Sequence, residues 1–180
     1  MEGVLYQSKM NKTHPMKTDS DLGRMAYQLV ADCKVGLMTT ASAEGQPHAT
    51  WMNFETKGYL DEIFTITAPI TQKVANVREN PRTEWLFSNP SMERVVLVCG
   101  NTRVIEGPDM KPYWDAVPGK SKAYYREYAN PQESDHFVVL CTTVGKIVLN
   151  RPSMYRKFTV KEEDAANPHS VFCLPDTPAS

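Results

Sequence analysis

The segment whose reading decides the fold is Gln46–Pro90, QPHATWMNFETKGYLDEIFTITAPITQKVANVRENPRTEWLFSNP. At its centre, Ile63-Phe64-Thr65-Ile66-Thr67 consists of β-branched and aromatic residues, which predicts a strand. Ala68-Pro69-Ile70 breaks it. Thr71 then stands where it can cap a short helix in which Val74 and Val77 face inward, and Pro81 stops that helix. A helix that starts directly after a strand points unpaired backbone N–H groups and a positive dipole end out of the turn. Thr71 adds a hydroxyl there and Lys73 a cation, so the corner can hold a phosphate. Caps and first-turn lysines occur on many helices, so this spacing alone leaves both a phosphate site and a plain helix start open.

Working outward, Val35 to Ala41 reads as a strand, Ser42-Ala43-Glu44-Gly45 as a turn, and Pro47 to Phe54 as the returning strand. On that strand His48, Thr50, Met52 and Phe54 share one face, and Ala49, Trp51 and Asn53 the other. Thr83 to Phe87 alternates around Trp85. The apolar run Arg94 to Cys99 predicts a strand buried on both faces that continues to Ile105, with a bulge or bend at Gly100. Upstream, Thr18-Asp19-Ser20-Asp21 supplies caps to a helix whose Leu22, Met25, Ala26, Leu29, Val30 and Cys33 form one apolar face suited to covering a sheet. Downstream, Asp109 can cap a helix with Met110, Tyr113, Trp114 and Val117 inward, ended by Pro118-Gly119. Ser121 can start another through Tyr124, Tyr125 and Tyr128. His136 to Leu140 and Val144 to Leu149 supply one or two closing strands. Residues 1–17 read as a flexible arm, 18–150 as one domain, and 151–180 as a polar, proline-containing extension, partly disordered.

The order of these elements, with the T-Q-K turn at residues 71–73, resembles the pyridoxamine 5′-phosphate oxidase-like flavoproteins, particularly their small general-stress-protein branch. The resemblance covers about residues 20 to 150 and lies in order and spacing, not in one invariant motif. It implies a mainly β chain with flanking helices, folded as an antiparallel split β-barrel of the FMN-binding type. It also implies phosphate roles for Thr71, Gln72 and Lys73, and places Thr50, Trp51 and Met52, with Ile66 and Thr67 of the following strand, beside the flavin. For Trp51 the alternative of a core or interface aromatic stays open. Barrels of this type pair as homodimers with flavin at the interface. The large residues Trp51, Trp85, Trp114 and Phe87 point the same way, being more than one small barrel is expected to bury.

Composition narrows the rest. The chain has 180 residues, enough for one domain with a real core, and carries 20 basic against 21 acidic residues. Basic charge is dispersed, which argues against a nucleic-acid footprint. The N-terminus lacks an apolar signal core and no run is long enough for a membrane span, so a cytoplasmic location is expected. The four cysteines, Cys33, Cys99, Cys141 and Cys173, lack C-x-x-C spacing and are expected as free thiols, with no metal site. His48 has no triad or metal partners nearby in sequence, so a structural role is expected.

No side chain stands out as catalytic, which suits chemistry carried by a cofactor. The expected function is an FMN-dependent oxidoreductase acting on a small-molecule substrate, with an electron donor such as NAD(P)H. The alternatives are a non-catalytic flavin-binding or sensing protein, and the same barrel holding deazaflavin or haem, the latter with His48 or His136 as axial ligand. Pyridoxamine phosphate oxidation itself is not expected: Glu55 falls where the resemblance implies a substrate-phosphate lysine, and Asn150-Arg151-Pro152-Ser153 departs from the family's R-x-H element.

Overall fold

The computed structural model describes residues 19–128 and 137–162. The expected N-terminal arm, His136, Cys173 and the final proline-containing stretch lie outside them. In chain order the elements are α1 Asp19–Asp32, β1 Gly36–Ala41, β2 Pro47–Met52, β3 Glu55–Lys57, β4 Glu62–Thr67, α2 Gln72–Glu79, β5 Arg82–Ser88 and β6 Val95–Ile105. A 3-10 turn at Gly107–Met110 leads into α3 Lys111–Ala116 and α4 Gly119–Tyr128. Then come β7 Val138–Arg151, a second 3-10 turn at Pro152–Met154, and β8 Arg156–Glu162.

The strands form one antiparallel sheet in the order β2-β1-β5-β6-β7-β4-β3, with β8 also paired to β7. Along its edge opposite β6, β7 takes β4 through Val138–Thr143 and β8 through Lys146–Arg151, so the sheet forks there. Met52 ends β2 at one edge and Glu55 opens β3 at the other. A three-residue step spans at most about 11 Å, so the two edges must curl toward each other. Thr65 reinforces the closure, its hydroxyl donating to the Asn53 carbonyl at 2.6 Å. This is the expected split barrel, mainly antiparallel β with flanking helices.

Two apolar cores follow from that curl. The inner one gathers Met38, Ile63, Trp85, Phe87, Val96, Val98, Leu140 and Leu149 from the strands under Ala26 and Val30 of α1 and Val74 and Val77 of α2. The outer one lies on the opposite face of β4 and β7, where Phe64, Ile66, Val139 and Cys141 meet Met110, Tyr113, Val117 and Tyr125 of the α3–α4 region. β4 is therefore buried on both faces, the reason its sequence reads as a continuous apolar and threonine run. The sheet bends at Gly100, where the β6–β7 register shifts as expected. A Cβ there would lie 2.1 Å from the Thr143 carbonyl oxygen, so only glycine fits.

Several expectations change in detail. The two possible closing strands are one, β7. Asp109 sits inside the 3-10 turn instead of capping α3, and Gly119 opens α4 instead of closing its predecessor. β8 arises in the stretch expected as an extension, because Phe158 and Val160 alternate toward the α1 side of the core. Cys33 and Cys141 are free thiols, but Cys99 is disulfide-bonded, against expectation. Trp85 and Phe87 are 0% and 1% exposed within a single chain, so they give no argument for a dimer.

The Trp85 indole donates to the Thr142 hydroxyl at 2.9 Å, and that hydroxyl bonds Thr102 at 2.7 Å. All three residues are buried. Thr142→Val should leave two polar groups without a partner in the barrel and cost roughly 1–3 kcal/mol of unfolding free energy. Urea denaturation reads it directly, and an unchanged midpoint would show that the relay contributes little.

Candidate cofactor site

The turn after β4 behaves locally as its sequence requires. Pro69 and the extended backbone of Thr71 (φ −76, ψ 149) end the strand, and α2 begins at Gln72. The amides of Gln72 and Lys73 therefore have no preceding helical carbonyl to bond and face outward at the positive end of the helix. The Thr71 hydroxyl is engaged within the turn, donating to the Ala68 carbonyl at 3.0 Å, and makes no side-chain cap. The expected hydroxyl donor toward a ligand is thus turned back on its own loop.

Lys73 is the unusual member. It is only 8% exposed, and its ammonium lies 3.4 Å from the Thr67 hydroxyl. Among the described residues no carboxylate pairs with it. Burial pushes its pKa below the ordinary lysine value. A buried cation offered only a hydroxyl is costly unless an anion comes to it.

The other expected site residues distribute around this corner. The exposed Gln72 reaches along α2, its amide donating to Asn76 at 2.9 Å. Buried Asn76 donates to Thr40 of β1 at 3.0 Å, and Thr40 contacts the His48 carbonyl at 3.5 Å. That relay pins α2 to the β1–β2 hairpin, which carries Thr50, Trp51 and Met52. Nothing in the sequence pattern marked Thr40 or Asn76; their link appears only once α2 folds over β1. Trp51 is 62% exposed on the edge strand, which removes the core reading and leaves cofactor or interface contact. Ile70, in the turn itself, is 94% exposed. Ile66 points into the outer core, while Thr67 holds Lys73. His48 sits on the exposed face of β2 with its Nε2 3.1 Å from the Thr50 hydroxyl.

A further polar cluster lies at the start of β4, the end away from the corner. Arg103 binds Glu62 at 2.7 Å, Thr143 at 2.9 Å and the Tyr113 hydroxyl at 2.9 Å, bracing α3 against the sheet. Its partners are all supplied from within the chain, so it reads as structural. Beside Ile66 there is also a narrow cleft whose lining includes Asn53, Phe54, Glu55, Phe64, Val117 and Ser121. Among the described residues no group of three or more His, Cys, Asp or Glu side chains could hold a metal. No described helix is long and apolar enough to cross a membrane.

A family model described as pyridoxamine 5′-phosphate oxidase matches residues 25–150. No curated protein matches the chain. Among solved structures, a protein related to general stress protein 26 of Bacillus subtilis, from Clostridium acetobutylicum, is similar with a TM-score of 0.67. It shares 17% identity over 80% of this chain and 96% of that one. A heme binding protein from Mycobacterium smegmatis has a TM-score of 0.61 at 19% identity, over 79% of this chain and 57% of that one. An F420 reductase has a TM-score of 0.51 at 18% identity, over 67% of this chain and 93% of that one. At such identities the three structures speak to the fold alone.

Proposed function

This chain belongs to the pyridoxamine 5′-phosphate oxidase family, and from that premise we propose that it binds FMN and works as an FMN-dependent oxidoreductase on a small molecule. The observation that carries the reading is Lys73, a buried ammonium without a carboxylate partner among the described residues, placed at the open amides of α2. A phosphate supplies the missing anion, and the helix terminus adds to its binding. Lys73 and the Gln72 and Lys73 amides would hold the phosphate. Thr50, Trp51 and Met52 on β2, with Thr67 and the backbone of Ile66 on β4, would border the ring.

Bound FMN supplies the electron chemistry, and the protein's part is to fix the ring and set the polarity at its edge. NAD(P)H is the proposed electron donor. Titration with FMN and with riboflavin tests the phosphate assignment: FMN should bind far more tightly, and equal affinities would remove it. The absorption spectrum of the purified protein separates this reading from the haem alternative, since haem gives an intense Soret band and FMN does not.

A second subunit completes the proposal. Trp51 on β2 and Ile70 in the turn before α2, at 62% and 94% exposure, would give a flavin or a partner copy apolar surface to cover. Light scattering of the flavin-bound protein at micromolar concentration should report a homodimer. Its melting temperature should climb with both protein and FMN concentration. A monomer with flavin bound would refute the shared site.

A further inference from the structure

Three turns meet at one end of the barrel: residues 33–35 between α1 and β1, 89–94 between β5 and β6, and 152–155 between β7 and β8. The sheet register sets the last two side by side, Ser88 pairing with Val95, Val95 with Asn150, and Asn150 with Lys157. The Cys33 thiol ties the first to them, donating to the Ser88 carbonyl at 3.5 Å. Of the seven large hydrophobic side chains exposed among the described residues, Val35, Met92, Met154 and Tyr155 stand here. The Lys73 corner is elsewhere: Thr67 pairs with Val138, the first residue of β7, whereas this end is reached at Arg151, its last.

Met92 and Tyr155 hold left-handed backbone, at φ 55° and 50°. Glycine or asparagine suits such positions, and a bulky side chain is strained there. Leu60, the other non-glycine residue of this kind among those described, is buried in the inner core, and packing accounts for it. Met92 and Tyr155 are 62% and 94% exposed and gain little packing within the chain.

Lys34, Arg94, Arg151, Arg156 and Lys157 stand in the same turns and strand ends, against Asp32 and Glu93. Among the described residues none of these five basic side chains is in an ion pair. Arg151 directly faces Arg156 across the last β7–β8 pair, a like-charge contact that costs stability, and its Nε is enclosed without a partner. An anionic layer with an apolar interior meets both demands. Its headgroups answer the basic side chains, and Met92, Met154 and Tyr155 enter the boundary beneath them. A second copy is disfavoured, because a two-fold contact would set the basic end against itself. A nucleic acid would answer the charge but leave the aliphatic side chains in water.

We propose that this end of the barrel docks on an anionic lipid surface. The contact is peripheral and needs neither FMN nor Lys73, so it stands apart from the flavin reading.

The test sediments the full chain with vesicles of phosphatidylcholine alone, and with vesicles in which about one third is replaced by phosphatidylglycerol. Affinity for the anionic vesicles should be at least about tenfold higher and should decline as salt rises. Arg94→Gln, Arg156→Gln and Lys157→Gln together should abolish the preference. The same charge removed through Lys111→Gln, Lys120→Gln and Lys122→Gln, on α3 and α4, should leave it in place. Met92→Ser with Tyr155→Ser should weaken binding on the order of tenfold. No binding, equal binding to both vesicle types, or a loss as large from the α3–α4 changes as from the turn changes would overturn the proposal. So would a dimer that dissociates in light scattering on Met92→Ser with Tyr155→Ser, which would assign this end to a second copy. An oligonucleotide that binds with the same dependence on Arg94, Arg156 and Lys157 would assign it to nucleic acid and overturn the proposal as well.

Discussion

Lys73→Ala is expected to weaken FMN binding by roughly 1.5–3 kcal/mol, the contribution of a charge-assisted hydrogen bond, and to leave riboflavin binding nearly unchanged. The flavin-free protein should respond in the opposite sense. Burial lowers the Lys73 pKa in the folded chain, so between that value and the unfolded one the unfolded chain holds more protons. Stability contributed by this group therefore rises with pH across that window, and below it the full penalty of burying the charge applies. A bound phosphate raises the folded pKa again and removes much of this pH dependence. Lys73→Met keeps the packed stem and deletes the charge. At neutral pH it should melt at or above the parent temperature without flavin, yet gain less than the parent when FMN is added. Calorimetry of both proteins with and without FMN is the measurement. A drop of several degrees in the flavin-free variant would show that Lys73 serves the fold and not a ligand.

The sequence carried much of this corner because its signals are local. Ile63 to Thr67 announces a strand by its residue types, Thr71 marks the helix start, and the spacing of Val74 and Val77 fixes the inward face. Burial of Lys73 was not legible, since a first-turn lysine is written identically whether solvated or enclosed. Its enclosure follows from α2 packing over β1 and β6, strands remote from it in sequence. The Thr71 hydroxyl illustrates the same limit: a residue type allows a cap, but the loop geometry spent that hydroxyl on the Ala68 carbonyl. β8 was masked by its composition. Arg156-Lys157-Phe158-Thr159-Val160-Lys161-Glu162 alternates with period two, but only Phe158 and Val160 are apolar, and Pro152 upstream reads as the end of order. The cleft at Glu55 depends on the α3–α4 hairpin folding back on the outer face of β4. That contact joins residues 53–55 to 117–125, and no pattern within either segment announces it.

The flavin-saturated protein is expected to form no pyridoxal 5′-phosphate from pyridoxamine or pyridoxine 5′-phosphate above the rate of free FMN. The reason lies in charge at the place where the resemblance implies a substrate-phosphate lysine. Glu55 stands there, half-buried in the cleft, without a cation paired to it among the described residues. Ionised, it repels a phosphate dianion across low-dielectric surroundings, and protonated, it offers no positive charge to attract one. Lys57 and Arg103 cannot easily substitute, because Glu62 holds both. The second expected contact is also missing. Arg151 ends β7 and is followed by Pro152 and a 3-10 turn, so no histidine stands two residues beyond it. A shared cofactor corner does not compensate for two absent substrate contacts, since activity follows the site and not the fold. An aerobic assay with FMN at saturation, followed by the absorbance of pyridoxal 5′-phosphate, decides the matter. Sustained turnover would mean that the phosphate is held by residues other than Glu55 and Arg151, and that the acidic cleft does not contact the substrate.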